Sequence, residues 1–249
     1  MPFTFAHPAI VLPLHALQRR CFSLTALVAG SLSPDFEYFL RMQIHSSHSH
    51  TLWGLLYFDL PLGLILAFLF HNIVRDPLLD NLPGFLRRRV SVYKTFRWNH
   101  YFRTHVFVVL YSLLIGAASH LFWDAFTHSD GFFVQQCSFL RGSIYVAGIH
   151  IGYWKILQHG STLMGLAVLF FALYRLPSRR ESSVPASSAY RVCVLFMTTV
   201  FMLLRHVIVQ PLYRQYGHTL VAFISCVLLS LLCAGMLFRI RQFCKQRSI

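Results

Sequence analysis

The densest chemistry in the chain lies between Ser119 and Gly131, in the run SHLFWDAFTHSDG. His120, Asp124 and His128 recur at i, i+4 and i+8, so a helix sets all three along one face. The His-x-x-x-Asp pair can offer an imidazole and a carboxylate to one cation, and His128 can reach a neighbouring one. Zinc accepts this mixture of nitrogen and oxygen ligands. Gly131 ends such a helix, with Asp130 near the mouth of the site.

Four other segments carry groups of the same kind. His7 precedes Pro8 at a plausible helix start. Asp35 and Glu37 follow a short apolar helix, with Pro34 expected to set a turn. His48 and His50 flank Ser49, and in an extended segment alternate residues share one side. His159 opens a long apolar stretch. A lone histidine at a membrane interface is ordinarily an amphipathic residue, so His15, His45, His71, His100, His105, His150 and His218 receive no role. That reading also competes for His7 and His159 taken singly. Asp35 and Glu37 have a second reading as caps or as partners of Arg41. An unpaired Asp124 on a helix is costly, which favours a ligand role there.

The elements that must position these groups are membrane helices. Of 249 residues 56% are hydrophobic and 12% charged, about half the charged fraction of a soluble domain. Stretches of about 20 apolar residues are expected to span the bilayer. They are Leu52–His71, His105–Trp123, Ile156–Leu176, Tyr190–Tyr213 and His218–Phe238. Residues 9–33 are apolar but split by Arg19 and Arg20, and read as two short re-entrant or interfacial helices. The fold class is therefore all-α, a multi-pass membrane bundle. The N-terminus has no basic region ahead of its apolar stretch and no small-residue cleavage site, so no removed signal peptide is expected. The six cysteines show no C-x-x-C spacing and indicate neither a disulfide framework nor a thiolate metal site.

A net charge of +14 in a soluble protein would point to nucleic acid. Here the basic residues cluster in residues 72–104, in 177–189 with its flanks, and after Phe238. Five spans put all three segments on one side, the cytoplasm by the positive-inside rule. No nucleic-acid partner is implied; the partner is the bilayer. The candidate ligands fall on the other, extracytoplasmic face, with Trp53, Trp123 and Trp154 as an aromatic belt. Residues 1–176 form the metal-site domain, 177–189 a polar Pro/Ser/Arg connector, and 190–249 a transmembrane hairpin with a basic tail. Arg205 and His206 lie within that hairpin and read as snorkelling or internally paired.

Taken in order, MPFTFAHPA, GSLSPDFEYF, HSHT, DLPLG, SHLFWDAFTHSDG and QHGST resemble domain-of-unknown-function family 4184, bacterial integral membrane proteins with no established activity. The resemblance covers about residues 1–176. More distantly, an N-terminal His, Pro-Asp, a His and His-x-x-x-Asp followed by His are similar to the zinc-dependent phospholipases C. They are also similar to inner-membrane proteins labelled metal-dependent hydrolases. That similarity implies His7, Asp35, His50, His120, Asp124 and His128 as ligands of one to three divalent ions, zinc first, with Asp124 bridging. His159 is a looser counterpart of a later ligand, because the expected His-x-x-x-Glu is broken by Leu163. The expectation is a metal-dependent hydrolase of phospholipids or lipid-linked phosphoesters at the outer face, with Asp35 or Glu37 as general base. A transporter using Asp59, His71, Arg205 and His206, and a non-catalytic scaffold, stay open beside it.

Overall fold

The computed structural model describes residues 3–178, 187–209 and 216–247. Five helices among them are long and apolar enough to cross a membrane: Leu55–Asp80, Val106–Gln136, Tyr153–Arg175, Ser188–Ile208 and Tyr216–Arg241. The protein is an all-α, multi-pass membrane bundle, and its five spans overlap the five expected ones. The expected end of the fourth span, residues 210–213, and most of the polar connector, residues 179–186, lie outside the described residues.

A 3-10 turn, Thr4–Ala6, leads into α1 (Pro8–Leu17), and α2 (Leu24–Arg41) follows. Pro8 sits in the first turn of α1, where its missing N–H leaves no bond unmade. Arg19 and Arg20 are exposed and separate the two helices, as expected of charge within an apolar run. The turn expected at Pro34 is not there: α2 runs through it to Arg41. Proline cannot donate to the carbonyl of Gly30 four residues back. The Ser33 hydroxyl donates to that carbonyl instead, at 2.9 Å, and the helix survives. Asp35 is thus delivered from a helix interior rather than from a loop.

The first span is composite. A π turn (Leu55–Asp59), α3 (Leu60–Leu69), a second π turn (Phe70–Val74) and α4 (Arg75–Asp80) run on without a break. Pro61 again lacks a donor for the turn before it, and the wider π turn absorbs the misfit. Next come α5 (Gly84–Val90), a 3-10 turn (Ser91–Thr95), α6 (Trp98–Thr104) and α7 (Val106–Thr127). The short helices α8 (Phe132–Gln136) and α9 (Ser138–Arg141) lead to a hairpin of β1 (Ser143–Val146) and β2 (Ile149–Gly152). The strands pair antiparallel, from Ser143 opposite Gly152 to Val146 opposite Ile149. Ala147 and Gly148 turn the chain with φ of 49° and 84°, the left-handed pair that suits a two-residue hairpin. The chain ends with α10 (Tyr153–Arg175), α11 (Ser188–Ile208) and α12 (Tyr216–Arg247).

The chain divides into two compact units, each assembled from three separate stretches. The first comprises Met1–Asp35, Ser47–Ile65 and Thr104–Ala172. Its centre is the crossing of α2 and α7, where two glycines let backbones meet. A Cβ on Gly30 would lie 2.1 Å from the Leu113 carbonyl oxygen, and one on Gly116 would lie 2.3 Å from that of Leu27. Without a hydrophobic drive between helices in lipid, such close approach is what packing there relies on. The second unit comprises Phe36–Ser46, Leu66–Arg103 and Leu173–Ile249. In it α12 packs along α11, where the buried Thr198 hydroxyl donates to Ser230 Oγ at 3.1 Å. Another face of α12 meets residues 70–80, with Gly235 against the Ile73 carbonyl.

Candidate metal centre

Five residues from the first unit converge. His120 and Asp124 project from one face of α7 as their four-residue spacing dictates, and both are buried. The Gly30–Gly116 contact draws α2 onto that face and sets Asp35 opposite them. His7 arrives from the turn ahead of α1 and is 1% exposed. Its ring stacks on that of His120, with centroids 3.7 Å apart and planes at 14°. His50 comes from the loop before the first span. That loop is shaped by Thr51, whose hydroxyl donates to the His48 carbonyl at 2.9 Å and accepts from the Gly54 amide at 2.8 Å.

The rings are aimed by their outer nitrogens. His120 Nδ1 lies 2.8 Å from the Ser31 carbonyl, which can only accept, so a ring proton sits there and Nε2 is turned toward the carboxylates. His50 Nδ1 is 2.9 Å from Ser49 Oγ, turning Nε2 inward. The Thr4 hydroxyl donates to Asp35 Oδ2 at 2.5 Å, leaving Oδ1 toward the cluster. Outer partners of this kind fix ligand orientation in metal sites.

The inward atoms stand at a distinctive spacing. His120 Nε2 lies 3.4 Å from Asp124 Oδ2 and 3.5 Å from Asp35 Oδ1. His50 Nε2 lies 3.6 Å from Asp35 Oδ1 and 3.7 Å from Asp124 Oδ2, and His7 Nε2 lies 3.6 Å from Asp124 Oδ1. These separations are too long for good hydrogen bonds. Ligands about 2.0–2.2 Å from one ion stand about 3.3–3.6 Å apart at tetrahedral angles. His7 Nδ1 and Nε2, Asp35 Oδ1, His120 Nε2 and Asp124 Oδ1 are buried and make no hydrogen bond. Leaving several polar atoms so is costly, and a cation among all of them but His7 Nδ1 removes that part of the cost. Two overlapping triads, His7–Asp35–His120 and His50–His120–Asp124, each keep their ligand atoms within 4.8 Å of one another. The residues therefore fit a metal ion.

Electrostatics sets the charge of two of these groups. Burial, then the neighbouring His120, pushes the His7 imidazole down to about 3, so the ring is neutral and its approach to Asp124 is not an ion pair. Burial pushes the Asp35 carboxyl up, but the facing His120 and His50 outweigh it and hold Asp35 well below the usual carboxylate range. A neutral imidazole beside an ionised carboxylate is the protonation state in which both act as ligands.

The remaining candidates are placed differently. His128 caps the end of α7, and its Nδ1 faces the Asp124 carbonyl at 3.1 Å and Asp124 Oδ1 at 3.6 Å, at the edge of the cluster. Glu37, in the second unit, is bound by Arg41, Nε at 2.9 Å and a terminal nitrogen at 2.8 Å. His159 is exposed and belongs to neither triad. Its neighbour Gln158 is the buried one, donating to the Thr127 carbonyl at 3.1 Å, just past Asp124 on α7. Sequence reasoning missed Thr4, Ser31 and Gln158; Thr4 lies in the same N-terminal run as His7, and no pattern marks the other two.

A family model described as Domain of unknown function (DUF4184) matches residues 1–237. No curated protein and no solved structure matches the chain significantly. The phospholipase-like order of ligands therefore rests on the residues themselves.

Proposed function

Since the chain belongs to the DUF4184 family, whose description names no activity, we propose from the geometry that it is a membrane-bound metal-dependent hydrolase acting on a phosphoester at the outer membrane–water interface. The observation that carries this reading is the convergence of His7, Asp35, His50, His120 and Asp124 at ligand spacing, with buried atoms of His7, Asp35, His120 and Asp124 that make no hydrogen bond. The donor set, imidazole nitrogen with carboxylate oxygen, suits zinc. When bound, such an ion polarises a phosphoryl oxygen and supplies a water of lowered pKa.

The chain's own residues have separable parts in that chemistry. His120 and His50 are oriented by Ser31 and Ser49 and would hold the ion through Nε2. Asp124 faces the imidazoles of His7, His50 and His120, with His128 at its edge, and would be the carboxylate shared if a second ion bound. Asp35 would hold the ion through Oδ1, because Thr4 occupies Oδ2, and Arg41 holds Glu37. His128, its side chain 25% exposed, stands beside Asp124 at the edge of the cluster. The positive-inside rule assigns the basic segments to the cytoplasm and this site to the extracytoplasmic face of the cell membrane. Phospholipids and lipid-linked phosphoesters already lie at that depth and need no path through the bilayer.

The test is metal content followed by turnover. Purified wild type is expected to carry one to three equivalents of divalent metal, mostly zinc, and Asp124→Ala to lose it. Reconstituted with mixed lipids, the wild type releases a headgroup or lipid-linked phosphate seen by mass spectrometry, whereas Asp124→Ala and chelated protein do not. Metal binding without any such release would reduce the site to a structural centre.

A further inference from the structure

The second unit holds another concentration of charge, which the metal chemistry does not use. A cleft of about 700 Å3 opens there, lined in part by His71, Arg75, Lys94, Arg97, His100 and Arg239. Its cations come from four separate places: the end of the first span, the 3-10 turn after α5, the start of α6, and α12. No aspartate or glutamate is among the described residues that line it.

Arg75 is the frame of the cleft. It is buried, and its guanidinium donates to Asp76 Oδ1 at 2.7 Å, to the Phe96 carbonyl at 2.6 Å and to the Lys94 carbonyl at 3.2 Å. These bonds pin residues 94–96 against the helix. Arginine can only donate, so His71 Nδ1, 3.2 Å from the same guanidinium, accepts and the ring proton sits on Nε2. The His71 ring in turn stacks on Trp98, with planes at 9°.

Around this frame the charges do not balance. Asp76 is shared between Arg75 and Arg239, whose terminal nitrogen lies 2.9 Å from Oδ2. Asp80 pairs with Lys94 at 2.5 Å. Arg97 is exposed and forms no ion pair among the described residues. Four cations thus meet two carboxylates, at the ends of the spans Leu55–Asp80 and Tyr216–Arg241. A basic pocket at the ends of membrane helices is where an anionic headgroup is recognised, and arginine suits phosphate geometry.

We propose that this cleft binds a phosphate group, presented by an anionic phospholipid headgroup or as the free ion, with Arg97, Lys94 and Arg239 as its direct contacts. Arg97 has no internal partner to lose, so Arg97→Gln keeps the fold while removing a contact; Arg239→Gln is the second variant. Arg141→Gln, from the first unit, is the control. The full chain is purified in detergent with chelator throughout, so that anion held by metal is not counted. Native mass spectrometry then measures retention of phosphatidylglycerol against phosphatidylcholine, and thermal melting measures the effect of inorganic phosphate. Phosphatidylglycerol is expected to be retained preferentially, with Arg97→Gln weakening it about 10-fold, the loss of one charge-assisted hydrogen bond. A phosphate-dependent rise in Tm that disappears in Arg97→Gln, without lipid preference, assigns the cleft to the free ion. Absence of both effects, or equal behaviour of Arg97→Gln and Arg141→Gln, overturns the proposal.

Discussion

His120 is held at Nδ1 by the Ser31 carbonyl and faces two carboxylates with Nε2, so it cannot be replaced without loosening both α2 and α7. His120→Ala and Asp124→Ala are each expected to lower metal affinity by more than about 100-fold, beyond the usual cost of losing an outer partner. His159→Ala should bind as wild type, and equilibrium dialysis with zinc compares the three. A pH effect follows from His7, whose folded value lies near 3 against 6.5 in the unfolded chain. The unfolded chain takes the proton first, so chelated protein loses stability as pH falls from about 6.5 to about 3, by up to about 1.4 kcal/mol per unit. His7→Gln should flatten that slope in urea melts between pH 7 and 5; an unchanged slope would assign the acid sensitivity elsewhere. At this scale the sequence was informative where spacing is local. The four-residue step from His120 to Asp124 is readable as one helical face, whereas the joining of His7, Asp35 and His50 to it depends on contacts between residues about 70 or more apart in the chain. His159 illustrates the converse: its motif reads like a ligand, but the helix turns the adjacent Gln158 inward instead.

Two helices carry the centre, and their separation decides whether it exists. Gly30 and Gly116 put α2 and α7 in backbone contact, so an added methyl must push the helices apart. Gly30→Ala is expected to cost about 1–3 kcal/mol or more and to lower metal content in parallel, while Gly84→Ala, which meets nothing within 4 Å, should do neither. Thermal melting and metal analysis of the two variants distinguish packing from a general loss of glycine. The continuous α2 was not legible in the sequence because proline ordinarily ends a helix, and the rescue depends on one hydroxyl. Removing it in Ser33→Ala leaves the Gly30 carbonyl unpaired and should cost about 1 kcal/mol. Pro34→Ala restores the N–H, so the double variant is expected to recover most of that loss. By contrast the five spans were readable from apolar length alone, since crossing a bilayer demands it.

For the whole molecule the first question is which way round it sits. In a version lacking its native cysteines, Trp53→Cys, at a position 77% exposed and close in sequence to His50, should react with impermeant maleimide in intact cells, and Arg88→Cys should not. The reverse pattern would move the metal centre to the cytoplasmic side. A second consequence concerns time rather than space. Each unit is stitched from three stretches of chain, so neither is finished in the order in which it is made. The last of the five ligands, Asp124, leaves the ribosome well before Gly235, which covers Ile73 in the other unit. At about 5–20 residues per second, Asp124 precedes Gly235 by on the order of 5–20 s. During that interval a metal can already be captured at the first centre while the second unit lacks its closing helix. Nascent chains stalled after residue 176 should then hold zinc yet remain open to protease within residues 66–103.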